Sequence, residues 1–241
     1  MQRRLLSMLI LGVFMHLNGL AQETNPVAIY TDDKGFERET NNIEDGQAPL
    51  TVTFRANPTK MGDWTPSFEW HFRKKSGSAD FEEKLVRYEE DTQYTFTESG
   101  TFHVVLKTFL TRGTETAEAD SNTVIVTIAE SRLEMPNAFS PNNDGTNDVY
   151  QAKSGKDGSN GYRSIVEFHA YIFNRWGQKL FEWTDISKGW DGTYNGKPVK
   201  EGVYYVLVKA KGADGKEYNI RRDVNLLRGY TSESGNSTAK Q

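Results

Sequence analysis

The stretch Phe68 to Phe72 reads FEWHF, which places Phe68, Trp70 and Phe72 on one side of an extended chain and Glu69 and His71 on the other. Alternation of this kind marks a strand with one buried face. The same period of two returns in LTVTF at Leu50 to Phe54, FHVVLKTFL at Phe102 to Leu110 and TVIVTI at Thr123 to Ile128. It continues in Val166 to Phe173, Gln178 to Trp183, Gly202 to Ala210 and Tyr218 to Leu227. Clusters of Gly, Pro, Asn and Asp separate these runs, with turns marked at Asn174 to Gly177, Asp191 to Gly196 and Ala213 to Gly215. Helical periodicity is absent; Phe81 to Glu90 comes nearest and is too charged to form an apolar stripe. Strands at this spacing predict an all-β chain of two consecutive β-sandwiches. A boundary falls between Glu130 and Pro136, giving a first domain at 26–130 and a second at 133–229.

Composition narrows the function. The chain has 241 residues, 36% hydrophobic, 26% charged and 12% aromatic, with no cysteine. Absence of cysteine removes disulfides, thiolate metal sites and a cysteine nucleophile. The net charge is −4, so a basic nucleic-acid surface is not expected. Residues 1–21 read as a secretory signal peptide. Arg3 and Arg4 precede an apolar run from Leu5 to Leu17, and Gly19 and Ala21 supply the small residues for cleavage before Gln22. That run is shorter than the ~20 apolar residues of a membrane span, and no later stretch could span a bilayer. Residues 230–241 are polar and patternless, which predicts a disordered tail.

Two clusters could carry chemistry. Asn142, Asn143, Asp144, Asn147 and Asp148 crowd side-chain oxygens around Gly145. Oxygen-only ligands suit calcium, which Asn142, Asp144, Asn147 and Asp148 could hold. The spacing is not that of an EF-hand, since Ser140 and Gln151 stand where its first and last acidic ligands belong. An Asx-turn network closing the loop on its own backbone N–H groups accounts for the same residues. The second cluster is aromatic. Trp176 and Trp190 each adjoin a tight turn, Asn174 to Gly177 and Asp191 to Gly192, and both are expected to cover the core rather than to stack on a sugar.

Catalysis has little to stand on. His71, His103 and His169 each lie in an alternating strand, and no HExxH or G-x-S-x-G pattern occurs. Gly155, Gly158 and Gly161 are spaced unlike a phosphate loop and read as a flexible connection. The acidic runs at Glu82–Glu83 and Glu89–Asp91 read as solvated faces. A non-enzymatic role is expected.

Longer motifs carry two resemblances. APLTVTF (Ala48 to Phe54), the strand around Trp70, and YTFTESGTFHVVL (Tyr94 to Leu106) make the first half similar to a PKD domain, an immunoglobulin-like module of extracellular proteins. It departs from that family where Arg73, Lys74 and Lys75 replace the usual Gly-Asp-Gly. The second half shows four motifs in order: PNAFSPNNDGTNDVY (Pro136 to Tyr150), IFNRWGQKLFEW (Ile172 to Trp183), GWDGTYNGKPVKEGVYYVLV (Gly189 to Val208) and DGKEYNIRRDVNLLR (Asp214 to Arg228). It resembles the gliding-motility-associated C-terminal domain of Bacteroidota, the type B sorting domain of the type IX secretion system. The resemblance implies that Asn174, Arg175, Trp176, Gly177, Trp190, Asp191 and Gly192 are structural motif positions. It also implies export across the inner membrane, recognition by an outer-membrane translocon, and residence at the outer membrane or cell surface. Two alternatives remain open: a periplasmic or outer-membrane component that docks with secretion, gliding or signalling proteins, and a small adhesin that touches surface polysaccharide.

Overall fold

The computed structural model describes residues 23–78, 80–119, 121–153 and 160–229. The expected signal peptide, the expected disordered tail, and Gly155 and Gly158 lie outside the described residues. Among those described, every regular element is a strand and none is a helix, in line with the alternating pattern. Among the described residues no helix is long and apolar enough to cross a membrane.

Ten main strands build the first half: β1 (Val27–Thr31), β2 (Glu37–Thr40), β3 (Asn42–Gly46), β4 (Leu50–Arg55), β5 (Thr65–Lys75), β6 (Phe81–Arg87), β7 (Asp91–Phe96), β8 (Gly100–Arg112), β9 (Glu115–Glu118) and β10 (Asn122–Ile128). They form two sheets, ordered β2-β1-β4-β7 and β3-β10-β8-β5-β6, with β9 also paired to β8. All pairs are antiparallel except β3 with β10. The alternating runs turn their apolar faces inward as expected: Phe54, Trp70, Phe72, Phe96 and Leu106 are fully buried. Phe54 packs 5.4 Å edge-on to Phe72 and 5.8 Å from Trp70. The Trp70 indole N–H finds the Glu89 and Glu90 carbonyls at 3.1 and 3.2 Å, so the ring is buried without an orphaned donor. Most of the charged stretch at Phe81 to Glu90 is an edge strand, β6, where one side faces solvent and charge is tolerated.

The second half is centred on one five-stranded sheet. Its strands are β11 (Ala138–Phe139), β12 (Ile165–Phe173), β13 (Lys179–Trp183), β14 (Gly202–Gly212) and β15 (Glu217–Leu226), ordered β11-β15-β14-β12-β13. β11 runs parallel to β15 and the other pairs are antiparallel. One face carries Ala170, Ile172, Tyr204, Val206, Val208, Val224 and Leu226 into the core. The opposing layer is mostly irregular chain: Leu133, Met135, Tyr150 and Trp190 join that core from segments held by two short antiparallel pairings, Arg132–Leu133 with Tyr162–Arg163 and Thr193–Tyr194 with Lys197–Pro198.

Candidate functional site

The loop that follows β11 closes on itself. Asp148 accepts backbone N–H groups of Asn142 (2.9 Å), Asn143 (2.7 Å) and Gly145 (2.8 Å). Asp144 accepts the Thr146 N–H at 2.8 Å and the Asn142 side-chain amide N–H at 2.9 Å, while the Asn142 side-chain oxygen accepts the Asp144 N–H at 3.1 Å. Asn143 and Asn147 hold positive φ, 64° and 56°, which Asn tolerates because its short polar side chain bonds locally. Burial pushes the Asp148 carboxyl upward, but the converging N–H groups outweigh it and hold it below its ordinary value. The four proposed ligands are thus gathered in one loop. Yet both carboxylates are spent on donors that close the turn, so a cation would have to displace them. Among the described residues no three His, Asp or Glu side chains converge as a metal cage requires. The donor set fits the Asx network.

A second cluster locks this loop to the sheet. Tyr150 and Trp190 exchange backbone hydrogen bonds of 2.8 and 3.0 Å, and both rings are fully buried. Trp190 lies 5.4 Å from Phe139 and 5.1 Å, edge-on, from Tyr204, with its indole N–H on the Thr193 carbonyl at 2.8 Å. Burial pushes the Tyr150 phenol well above its ordinary pKa, and its hydroxyl donates to the Pro136 carbonyl at 3.0 Å. Asp191 caps the turn through Thr193, from its N–H at 3.0 Å and its hydroxyl at 2.7 Å. Gly192 has φ of 78°, and a Cβ there would stand 3.0 Å from Pro141 and 3.1 Å from Leu226. Arg228 clasps the same corner, donating to the Val199 and Gly192 carbonyls at 2.7 and 3.0 Å. The Pro-Asn loop and the Trp-Asp-Gly turn, over 40 residues apart in sequence, therefore meet in one structural corner.

Trp176 departs from expectation. It is not core: it is 76% exposed, whereas Trp190 is 0% exposed. The reason lies in its turn. Asn174 accepts the Trp176 and Gln178 N–H groups on one side-chain oxygen, both at 3.0 Å, and Gly177 supplies φ of 80°. This winds the residue after Arg175 away from the sheet. Arg175 lies over the indole face at 4.3 Å, forming a cation–π pair at the tip of a braced turn. Gln178 reaches Tyr194 at 3.2 Å and ties the tip to the neighbouring hairpin.

The outer face of the five-stranded sheet is also unusual. A sheet with one buried face should read polar outside. Here Tyr171 and Phe173 on β12 oppose Leu207 and Tyr205 on β14, and Val203 continues the row. Val203 and Tyr205 are 47% and 48% exposed. Phe173, Val203, Tyr205 and Leu207 line a shallow groove of about 590 Å³ edged by Arg221 and Asp223. The sequence did carry a signal for this face: VYYVLV is apolar at both parities, more than one buried face needs. His71, His103 and His169 each have local neighbours: His71 contacts Glu83 and Glu69 at 2.7 and 3.2 Å, the His103 ring lies tilted 4.5 Å from Phe81, and His169 meets Glu182 at 2.6 Å.

Four ordered motifs thus fold into a locked corner, a braced Trp-Arg tip and an apolar outer face within one sheet. Residues 133–221 match the family model described as the CHU_C type IX secretion signal domain. The match lies wholly within the second half. No curated protein matches the chain in sequence. Among solved structures, a tetra-tandem repeat from the extending region of a large adhesion protein aligns with 86% of this chain and 68% of its own, at 9% identity and a TM-score of 0.27. Dimeric latent PorU from Porphyromonas gingivalis aligns over 84% of this chain and 34% of its own, at 8% identity and a TM-score of 0.21.

Proposed function

We propose that the protein is a non-catalytic, exported envelope protein whose second half is read by the type IX secretion machinery, which delivers it to the outer membrane or cell surface. The match of residues 133–221 to a type IX secretion signal domain carries this reading. The first half is a divergent PKD-like sandwich that travels with it. The surface best suited to being read is the Arg175–Trp176 tip with the adjoining face of Phe173, Val203 and Tyr205. Trp, Tyr and Arg are the residues that anchor protein interfaces, and the braced turn presents them at little cost in ordering.

The test is localisation in cells with and without a working type IX translocon. The wild-type chain is expected at the outer membrane or surface in the first case and in the periplasm in the second. Arg175→Ala with Trp176→Ala is expected to lower export while leaving the melting temperature unchanged. Export independent of the translocon refutes the reading, and full export of the double variant refutes the assigned surface.

A further inference from the structure

The default expectation for two domains on one chain is relative motion, because such interfaces are small and polar. The junction here is built differently. β14 and β15 are joined by the turn Gly212 to Gly215, and its tip enters the first half. Ala213 is 9% exposed and belongs to the buried cluster that contains Phe54, Trp70 and Phe96. Its carbonyl accepts the Ser99 N–H at 3.0 Å, and its own N–H donates to the Ser164 carbonyl at 2.9 Å. Ser164 is 2% exposed with φ of 47°, and its hydroxyl accepts the Ala48 N–H at 3.3 Å. Val166 packs on the first-half core, and Arg163 pairs with Asp45.

The connection between the halves is strapped to the same turn. Ser131 follows β10 by three residues; its hydroxyl lies 2.8 Å from Asp214 and 2.8 Å from the Tyr218 hydroxyl, and its N–H donates to Asp214 at 3.1 Å. Gly212 leaves the space Ser131 occupies, since a Cβ there would collide with the serine side chain. A short strapped connection keeps tip and socket at high effective concentration.

We propose that the Gly212–Gly215 tip is a key seated in a socket at the end of the first half, made by Ala48, Ser99 and the core edge. The two halves then unfold, and are presented to any partner, as one rigid unit. The second half is not an independent tail, and this holds whether or not the export reading is correct.

Hydrogen-exchange mass spectrometry of the full chain across a urea titration tests it. The peptides to follow are Val104–Leu110 in the first half and Tyr204–Val208 in the second. In the wild type both are expected to lose protection at one urea concentration. Ala213→Glu puts a charge into the socket and is expected to split the loss into two midpoints. Ser131→Ala, which inserts nothing, is expected to split them less, and it decides the matter if Ala213→Glu does not accumulate. Two separate midpoints in the wild type overturn the proposal, as do coincident midpoints in the variants.

Discussion

Trp190 and Trp176 are the same residue type beside similar turns, and the structure assigns them opposite energetic weight. Trp190→Ala removes a fully buried indole that packs on Phe139 and Tyr204 and strands the Thr193 carbonyl. Burying a ring of this size removes ~150–250 Å² from water. Truncating such a residue costs about 3–5 kcal/mol, cavity included. The lost hydrogen bond falls within that range because about 1 kcal/mol is its usual net worth. Set against a total stability of ~5–15 kcal/mol, this is a large fraction. With a urea slope of about 2 kcal/mol/M, the midpoint should fall by about 2 M. Trp190→Phe keeps most of the packing and should cost about 1–2 kcal/mol, mainly for the unpaired carbonyl. Trp176→Ala, at 76% exposure, should change stability by less than about 0.5 kcal/mol. The assay is urea unfolding followed by far-UV circular dichroism, which does not depend on the tryptophans being replaced. Equal costs for the two alanine variants would refute the assignment, as would a cost below about 1 kcal/mol for Trp190→Ala, since buried large-to-small changes do not come that cheaply.

Gly189→Ala should destabilise by about 1–3 kcal/mol through overpacking, because a Cβ there would collide with the Tyr150 carbonyl; a neutral result in thermal melting refutes the close approach. Asp148 is held below its ordinary carboxyl pKa in the folded chain, so its contribution is full above the ordinary carboxylate range and is lost as pH falls through the folded value. Asp148→Asn should therefore flatten the loss of melting temperature on acidification from about pH 5; an unchanged acid profile counts against the network. Because that loop satisfies itself, chelator should leave the wild-type melting temperature unmoved, and a drop would instead reveal a bound cation.

Much of the fold was legible. Each alternating run from Leu50 onward lies within or against an observed strand, because period two with one apolar parity has a single low-energy outcome in a chain without helical stripes. The short strands Glu37–Thr40 and Asn42–Gly46 were not legible: the first is wholly polar and the second has Ile43 as its one large apolar residue, and they pair with β1 and β10. The edge strand Phe81–Arg87 was obscured in the same way by its charge. The loop at 142–148 was readable because Asx residues act on their own neighbours, within a few positions. Trp176 was misread because its fate depends on the handedness of the turn set by Asn174 and Gly177, a property of backbone geometry rather than hydropathy.

The division of labour between the halves follows from where apolar surface is left over. In the first half the exposed rings are covered or scattered: Phe36 has Arg38 over it at 5.7 Å, and Phe81 packs at a tilt 4.5 Å from His103. Its outward faces carry ion pairs such as Lys74 with Glu98 at 2.7 Å. Such surfaces contribute little binding energy when desolvation is counted. In the second half the leftover apolar residues are contiguous, in cross-strand register, beside an exposed tryptophan that its turn holds in place. Contiguity matters because scattered exposed rings are ordinary, whereas a joined patch is what a partner can dry. The proposed recognition surface is therefore the outer face formed by β12 and β14. With the second half's Gly212–Gly215 tip joined to the buried cluster of the first half, the role proposed for the first half is to hold that face at a fixed orientation.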